Sequence, residues 1–249
     1  MSCDLSVDVC LATYNGAPYI GAQIESIRLQ LPENGRIIVA DDGSSDDTVQ
    51  IINSFNDERI IMLNGPRKGV IRNFEFLLKS STADLIFLCD QDDIWLPNRI
   101  LSAFKNIEDY DVVVCNGEIR NADLTNSHMT VFEWRNSGNG LIKNLYLNSF
   151  VGCCMCIRRE VLDLVLPFPR NIPMHDAWIG VVATCFYRVK FDPIVAVWYR
   201  RHEGNVTSIK SNSSNIKKIE TRLILLSLLF KLFYRAFKIH LPKNQKALK

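Results

Sequence analysis

The chain has 249 residues, of which 47% are hydrophobic and 22% charged, an ordinary composition for a globular protein long enough to bury a sizeable core. Its net charge of +2 conceals an asymmetry, because residues 210–249 hold ten Lys or Arg against one acid, Glu220, giving the tail +9 and residues 1–209 a charge of −7. An acidic body argues against a nucleic-acid-binding core, and a basic tail predicts contact with an anionic surface.

The chain opens "MSCDLSVDVCLATYN", with no basic stretch leading into an apolar one, so a cytoplasmic location is expected. "VDVCLA" (Val7 to Ala12) reads as a buried strand, ended by the turn "TYNGAP". Ile20, Ile24, Ile27 and Leu31 recur on one helical face. "RIIVA" (Arg36 to Ala40) is a second strand running into "DDGSSDDT", where Asp47 and Gln50 predict a capping box for a helix through "TVQIINSF". "RIIML", "VIRNFEFLLKSS" and "DLIFLC" continue the alternation as strand, helix and strand, and "VVVC" (Val112 to Cys115) adds another strand. "GLIKNLYL" and "FVGCCMCIRREVLDLVLPFP" read as helix, strand, helix and loop, and a helix opens just after Pro173. "KFDPIVAVWYRRHEGNVTS" predicts a final strand pair and a polar turn. Its sequon, Asn205-Val206-Thr207, carries little weight without a secretory signal.

Continuously apolar strands alternating with amphipathic helices predict an α/β fold with a mainly parallel sheet flanked by helices, and such sheets bind ligands at the carboxyl ends of their strands. The eight cysteines mostly lie inside apolar runs, where thiols act as small hydrophobes; "GCCMC" has no partner pair at zinc-site spacing.

Two acidic clusters stand at strand ends, Asp41 to Asp47 and "DQDD" (Asp90 to Asp93). A lone Asp after a strand commonly makes a turn, but three carboxylates in four positions repel one another and imply a shared cation. Asp90 and Asp92 offer hard oxygen ligands suited to Mg2+ or Mn2+. An EF-hand loop from Asp90 would need Gly and Glu where Trp95 and Leu101 stand. An aspartate-nucleophile phosphatase would place Thr where Ile94 stands, and neither a phosphate-binding G-x-x-x-x-G-K-[ST] loop nor G-x-G-x-x-G follows the first strand.

"CLATYNGAPYI", "IIVADDGSSDDT", "KGVIRNFEFLL", "FLCDQDDIWLPNRI" and "PMHDAWI", in that order over about residues 5 to 205, resemble the family 2 glycosyltransferases of the GT-A fold. "DQDDIWLP", "MHDAW" and "YRRHEGNVT" are similar to rhamnosyltransferases of bacterial surface polysaccharide (O-antigen) synthesis. The resemblance implies an inverting, metal-dependent transferase taking a dTDP- or UDP-sugar, L-rhamnose first among them, to a lipid-linked oligosaccharide. It implies that Thr13, Tyr14 and Asn15 hold base and ribose. Asp42, or Asp41 in the alternative register, would bond the pyrimidine. Asp92 would be the direct metal ligand, Asp90 its partner nearer the donor, and Asp93 a support. Asp176 would be the catalytic base, with His175 and Trp178 on the acceptor side. Arg72 and His202 would meet the donor. Packing, capping or surface roles stand as alternatives for Arg72, Asp176, His175 and His202. A nucleotidyltransferase, a phosphatase and a catalytically inactive sugar-nucleotide-binding partner are the competing readings.

The segment "RLILLSLLFKLFYRAFKIH" is broken at Lys231 and too short to span a bilayer. Lys231, Arg235 and Lys238 recur at helical spacing, with Phe230, Phe233 and Phe237 on another face, predicting a basic amphipathic helix at the inner face of the plasma membrane. A helix packed on the body, or in a homo-oligomer, is the alternative. The domain division expected is 1–209 for catalysis and 210–249 for the tail.

Overall fold

The computed structural model describes residues 5–205 and 215–240. The first half alternates strand and helix: β1 (Val7–Thr13), α1 (Ile20–Arg28), β2 (Gly35–Asp41), α2 (Thr48–Asn53), β3 (Ile60–Asn64), α3 (Val70–Ser80) and β4 (Leu85–Asp90). A short β5 (Ile94–Trp95), α4 (Arg99–Ile107), β6 (Val112–Asn121), β7 (Asn126–Thr130), α5 (Val131–Arg135) and α6 (Leu141–Tyr146) follow. The remainder is β8 (Met155–Arg158), α7 (Val161–Val165), α8 (His175–Phe186), β9 (Val189–Arg201) and α9 (Asn215–His240).

The strands form one sheet in the order β3-β2-β1-β4-β8-β6-β9-β5, with β7 on β6. The run β3-β2-β1-β4 is parallel, as expected of mostly apolar strands alternating with helices. Beyond β4 the expected mainly parallel sheet gives way to a mixed one: β8 is antiparallel to both β4 and β6, β5 is antiparallel to β9, and β6 and β9 are parallel. The expected final strand pair is a single strand, β9. Its register against β6 shifts near Asp192 and Pro193, where proline supplies no N–H to the ladder.

Two buried polar ties fix the parallel half. Asp8 on β1 accepts from the Arg36 guanidinium on β2 (2.8 and 2.7 Å), the Ser81 hydroxyl and the N–H groups of Thr82 and Ala83 before β4. Asn73 of α3 donates to the Ala40 carbonyl at 2.7 Å, holding the helix over β2. The capping box expected at Asp47 is absent, since its side chain makes no cap bond; Asp46, one residue earlier, accepts from the Thr48 N–H at 3.1 Å and from its hydroxyl. Six of the seven described cysteines are buried and the seventh, Cys185, is half-buried, all as free thiols.

Helix α9 packs Leu225, Leu229 and Leu232 into the common core and touches α6 and α8. The 209/210 boundary, Val206 and Thr207 of the sequon, and the side chains of Arg235, Phe237 and Lys238 lie outside the described residues.

Candidate active site

The carboxyl ends of β1, β2 and β4 open onto a cavity of about 520 Å³. Thr13 and Tyr14 from the end of β1, Asp42 after β2, Asp90 and Asp92 around the end of β4, and His175 and Asp176 at the start of α8 all line it. This is where the topology of an open α/β sheet places a ligand.

Turn chemistry shapes the β1 and β2 ends. The Asp41 carboxylate accepts from the Gly43 and Ser44 N–H groups (3.0 and 2.8 Å) and the Ser44 hydroxyl, so Asp41 ties its own turn and does not line the cavity. Asn15, at φ 47°, is likewise committed to the turn, accepting from the Ser45 N–H at 2.8 Å. Asp42 faces the cavity and accepts from the Gly69 N–H at 2.7 Å; Gly69 has φ +80°, a conformation that favours glycine. Gln91, the middle residue of "DQD", is a hub: its Oε1 accepts from the Thr13 hydroxyl (2.7 Å) and the Tyr14 N–H (2.8 Å), and its Nε2 donates to the Tyr14 carbonyl.

The three acids after β4 divide by partner. Asp93 is fully buried; Oδ1 accepts from the Arg200 N–H at 3.0 Å, whereas Oδ2 has no partner. Its carboxyl is pushed well above the ordinary range by burial, then by Asp92 and Asp90. Asp90 is raised to about 8 by burial, then by the charges of Asp92 and Asp176. Asp92 Oδ2 stands 2.7 Å from His202 Nε2 and 3.0 Å from Asn205 Nδ2. His202 Nδ1 accepts from the Gly204 N–H at 3.1 Å, so the ring proton sits on Nε2 and points at Asp92. Among the described residues, Asp90, Asp93 and Cys153 bring ligand-type atoms within 4.8 Å of one another.

Across the cavity, Asp176 Oδ1 accepts from the Ala177 N–H (2.5 Å) and Asn148 Nδ2 (3.3 Å). Burial raises its carboxyl to about 6, and the positive charge of Arg135 opposes the rise. His175 is buried, stacked on Phe74 with centroids 3.9 Å apart, and neither ring nitrogen has a partner. Burial drives its pKa down to about 3, so the ring is neutral at pH 7. Trp178 does not reach the cavity: it is buried in the core and donates Nε1–H to the Val165 carbonyl at 3.0 Å. Arg72 is also elsewhere, paired with Glu75 and donating to the carbonyls of Phe168, Pro169 and Arg170.

Four cavity residues lacked any sequence signal strong enough to single them out: Arg67, Asn73, Arg135 and Tyr199. Arg135 is the last residue of the short helix α5, and only folding brings its charge to Asp176. Asn205 stands in the sequon of "HEGNVT", a pattern that gives no sign of the bond its amide makes to Asp92.

The sequence profile described as "Glycosyl transferase family 2" matches residues 8–166. The chain belongs to glycosyl transferase family 2. Among curated relatives of this transferase, the Escherichia coli protein WfgD, a UDP-Glc:alpha-D-GlcNAc-diphosphoundecaprenol beta-1,3-glucosyltransferase, is 28% identical over 185 residues, covering 72% of this chain and 70% of WfgD. The dTDP-rhamnosyl transferase RfbG of Shigella flexneri is 29% identical over 219 residues, covering 78% of this chain and 72% of RfbG. Among solved structures, S. aureus TarS 1-349 in complex with UDP-GlcNAc has a TM-score of 0.67 at 17% identity, over 89% of this chain and 66% of the TarS chain. The mannosyltransferase PcManGT of Pyrobaculum calidifontis, in complex with GDP-Man and Mn2+, has a TM-score of 0.64 at 21% identity, over 81% of this chain and 58% of its own. These structural likenesses concern the fold, a mixed α/β sheet of the GT-A kind.

Proposed function

We propose that this glycosyltransferase is an inverting enzyme that moves a sugar from a dTDP- or UDP-linked donor to a lipid-linked oligosaccharide, with dTDP-L-rhamnose as the first donor to test. The observation that carries this reading is the placement of Asp176 in the same cavity as Asp90 and Asp92, with its carboxyl raised to about 6. A carboxylate of that basicity is matched to taking a proton from a hydroxyl near neutral pH. The relatives with printed activities on a diphosphoundecaprenol-linked sugar and with a dTDP-rhamnosyl group support the choice of acceptor and donor.

In the proposed reaction the acceptor hydroxyl gives its proton to Asp176 while its oxygen bonds the anomeric carbon. The bond from that carbon to the donor diphosphate breaks on the opposite face, and the diphosphate leaves with the electron pair. Thr13, Tyr14 and Asp42 line the end of the cavity assigned to the nucleotide, with Asp41, Asn15 and Gln91 shaping the turns behind them. Arg72 and Trp178 are left out of the proposed site, because their polar groups are engaged elsewhere.

The residues fit a divalent metal. Asp90 and Asp93, whose carboxyls are raised by burial and by the charges of neighbouring acids, are what a cation among them would relieve. Asp92 and Asp90 would hold Mn2+ or Mg2+, with His202 beside Asp92. Such an ion, when bound, supplies positive charge for the leaving diphosphate.

No described helix is long and apolar enough to cross a membrane. A peripheral seat at the cytoplasmic face, through the basic tail, is the placement proposed. Incubating the protein with a panel of nucleotide sugars and measuring nucleotide release, with and without Mn2+ or Mg2+, tests the whole reading. Metal-stimulated turnover of one donor supports it, and binding without turnover across the panel overturns it.

A further inference from the structure

Two exposed apolar surfaces outside the cavity meet at Arg222 and Tyr146, two residues before the Asn148 that bonds Asp176. On α9, Leu223, Leu226, Phe230 and Phe233 are exposed by 60, 36, 74 and 46%. At 100° per residue they fall within an arc of about 80°, beside the arc of Leu225, Leu229 and Leu232 that the core buries. The helix thus spends one apolar face on the body and keeps a second largely in solvent, Phe233 at its edge also packing on Phe186 of α8 with ring centroids 4.6 Å apart. On α6 and just after it, Ile142, Tyr146 and Leu147 are exposed by 85, 65 and 49%. Arg222 joins the two surfaces: its guanidinium lies 4.2 Å over the Tyr146 ring and donates to the Tyr146 carbonyl at 3.2 Å. The chain leaves this surface at Leu147, and the next residue, Asn148, donates to the Asp176 carboxylate.

We propose that α6 and α9 form a single face that lies on an anionic bilayer and sets the proposed base one residue away from the lipid-contacting surface. The inference rests on the reading of the acceptor as lipid-linked and deepens it, because it names the part of the body, α6, that meets the membrane along with the tail. Charge selects the occupant. The tail carries +9 and would bring that charge to an anionic leaflet, whereas a second copy docked on the same face would set +9 against +9. Residues 1–209, at −7, are repelled from such a leaflet, whereas α9 itself holds six Lys or Arg against one acid, Glu220, so the attraction it supplies favours this side of the body. Apolar residues flanked by basic ones are the composition of an interfacial helix.

Flotation of the full chain with phosphatidylcholine vesicles containing about one-third phosphatidylglycerol, against pure phosphatidylcholine, tests the face. The wild type is expected to float with the anionic vesicles. I142E on α6 and F230E on α9 each exchange an exposed apolar group for an acid, and each is expected to lower vesicle affinity about tenfold or more. Both are expected to melt like the wild type and to release nucleotide from the donor at the wild-type rate. Wild-type flotation by I142E would overturn the α6 assignment. Absence of flotation by the wild type, or a dimer in solution that both variants dissolve, would overturn the bilayer. Nucleotide release is read without lipid, so failure of the transferase reading and failure of the membrane face give different results.

Discussion

The carboxyl of Asp176 is drawn in two directions, upward by burial and downward by the charge of Arg135, and settles at about 6. As the proposed base it must be ionised to act, so kcat/KM is expected to fall tenfold per pH unit below about 6 and to level off above it. Asp176→Asn keeps the shape but cannot accept the proton; it is expected to bind donor like the wild type in calorimetry while losing transfer by at least about a hundredfold. Arg135→Met removes the charge that lowers the pKa, so the midpoint of the pH profile is expected to rise above 6, with loss at pH 6.5 largely recovered at pH 8.5. A profile that drops uniformly without moving its midpoint would show that Arg135 acts only by packing. Asp8 shows the opposite balance. Burial alone would raise its pKa, but the bonds from Arg36, Ser81, Thr82 and Ala83 overcome burial and hold it below 3.8. A depressed folded-state value means that the unfolded chain binds the proton more tightly; the stabilisation is complete above the ordinary value of 3.8 and is lost as pH falls through the folded value. Asp8→Asn is therefore expected to cost roughly 1–3 kcal/mol at pH 7 and to shrink the acid dependence of urea unfolding below about pH 4.

Helix α8 carries the proposed base, and its position depends on a close approach. Gly180 lies one turn past Asp176, and a Cβ there would overlap the ring of Phe150, which is fully buried. Two effects of Gly180→Ala compete: about 1 kcal/mol gained in helix propensity against roughly 1–3 kcal/mol for overpacking. Overpacking wins, because Phe150 is wedged against Phe191 with centroids 5.3 Å apart and cannot swing away. Phe150 also bonds Asn148, a hydrogen-bond partner of Asp176, so the variant is expected to lose both melting temperature and turnover. The same scale explains what the sequence could show. Strands β1, β2 and β4 are mostly apolar runs buried on both faces, a pattern that one chain displays without help. β5 has two residues, and β7, "NSHMT", has no apolar alternation; both exist because β9 and β6 supply a partner edge. The acids of "DQDD" were legible because like charges in four positions need a reason. Arg135 and Asn205 were not, since their meaning comes from Asp176 and Asp92, residues distant in sequence.

At the scale of the whole molecule, the cavity is a seam. The parallel half contributes β1 and β4, and the mixed half closes over it through β9 and the loop that follows. At the cavity the ties across include the Arg200 N–H to Asp93 Oδ1, the Arg200 Nε–H to the Asp92 carbonyl at 2.8 Å, and His202 and Asn205 to the Asp92 carboxylate. A metal with a nucleotide bound there would join both halves, so its binding energy should appear as global stability. At about a hundred times Kd, one-site binding adds about 2.7 kcal/mol, which for a chain of this length corresponds to a rise in Tm of roughly 5–10 °C. The wild type is expected to show that rise with Mn2+ and dTDP or UDP together, and much less with either alone. Asp92→Ala removes a carboxylate assigned to the metal and also two ties of the seam, so its unliganded Tm is expected to fall. The deciding quantity is therefore the ligand-induced increment, not the baseline. A variant that starts lower and gains nothing from Mn2+ and nucleotide supports the metal role; one that starts lower and gains as much as the wild type shows that Asp92 only clasps the loop after β9.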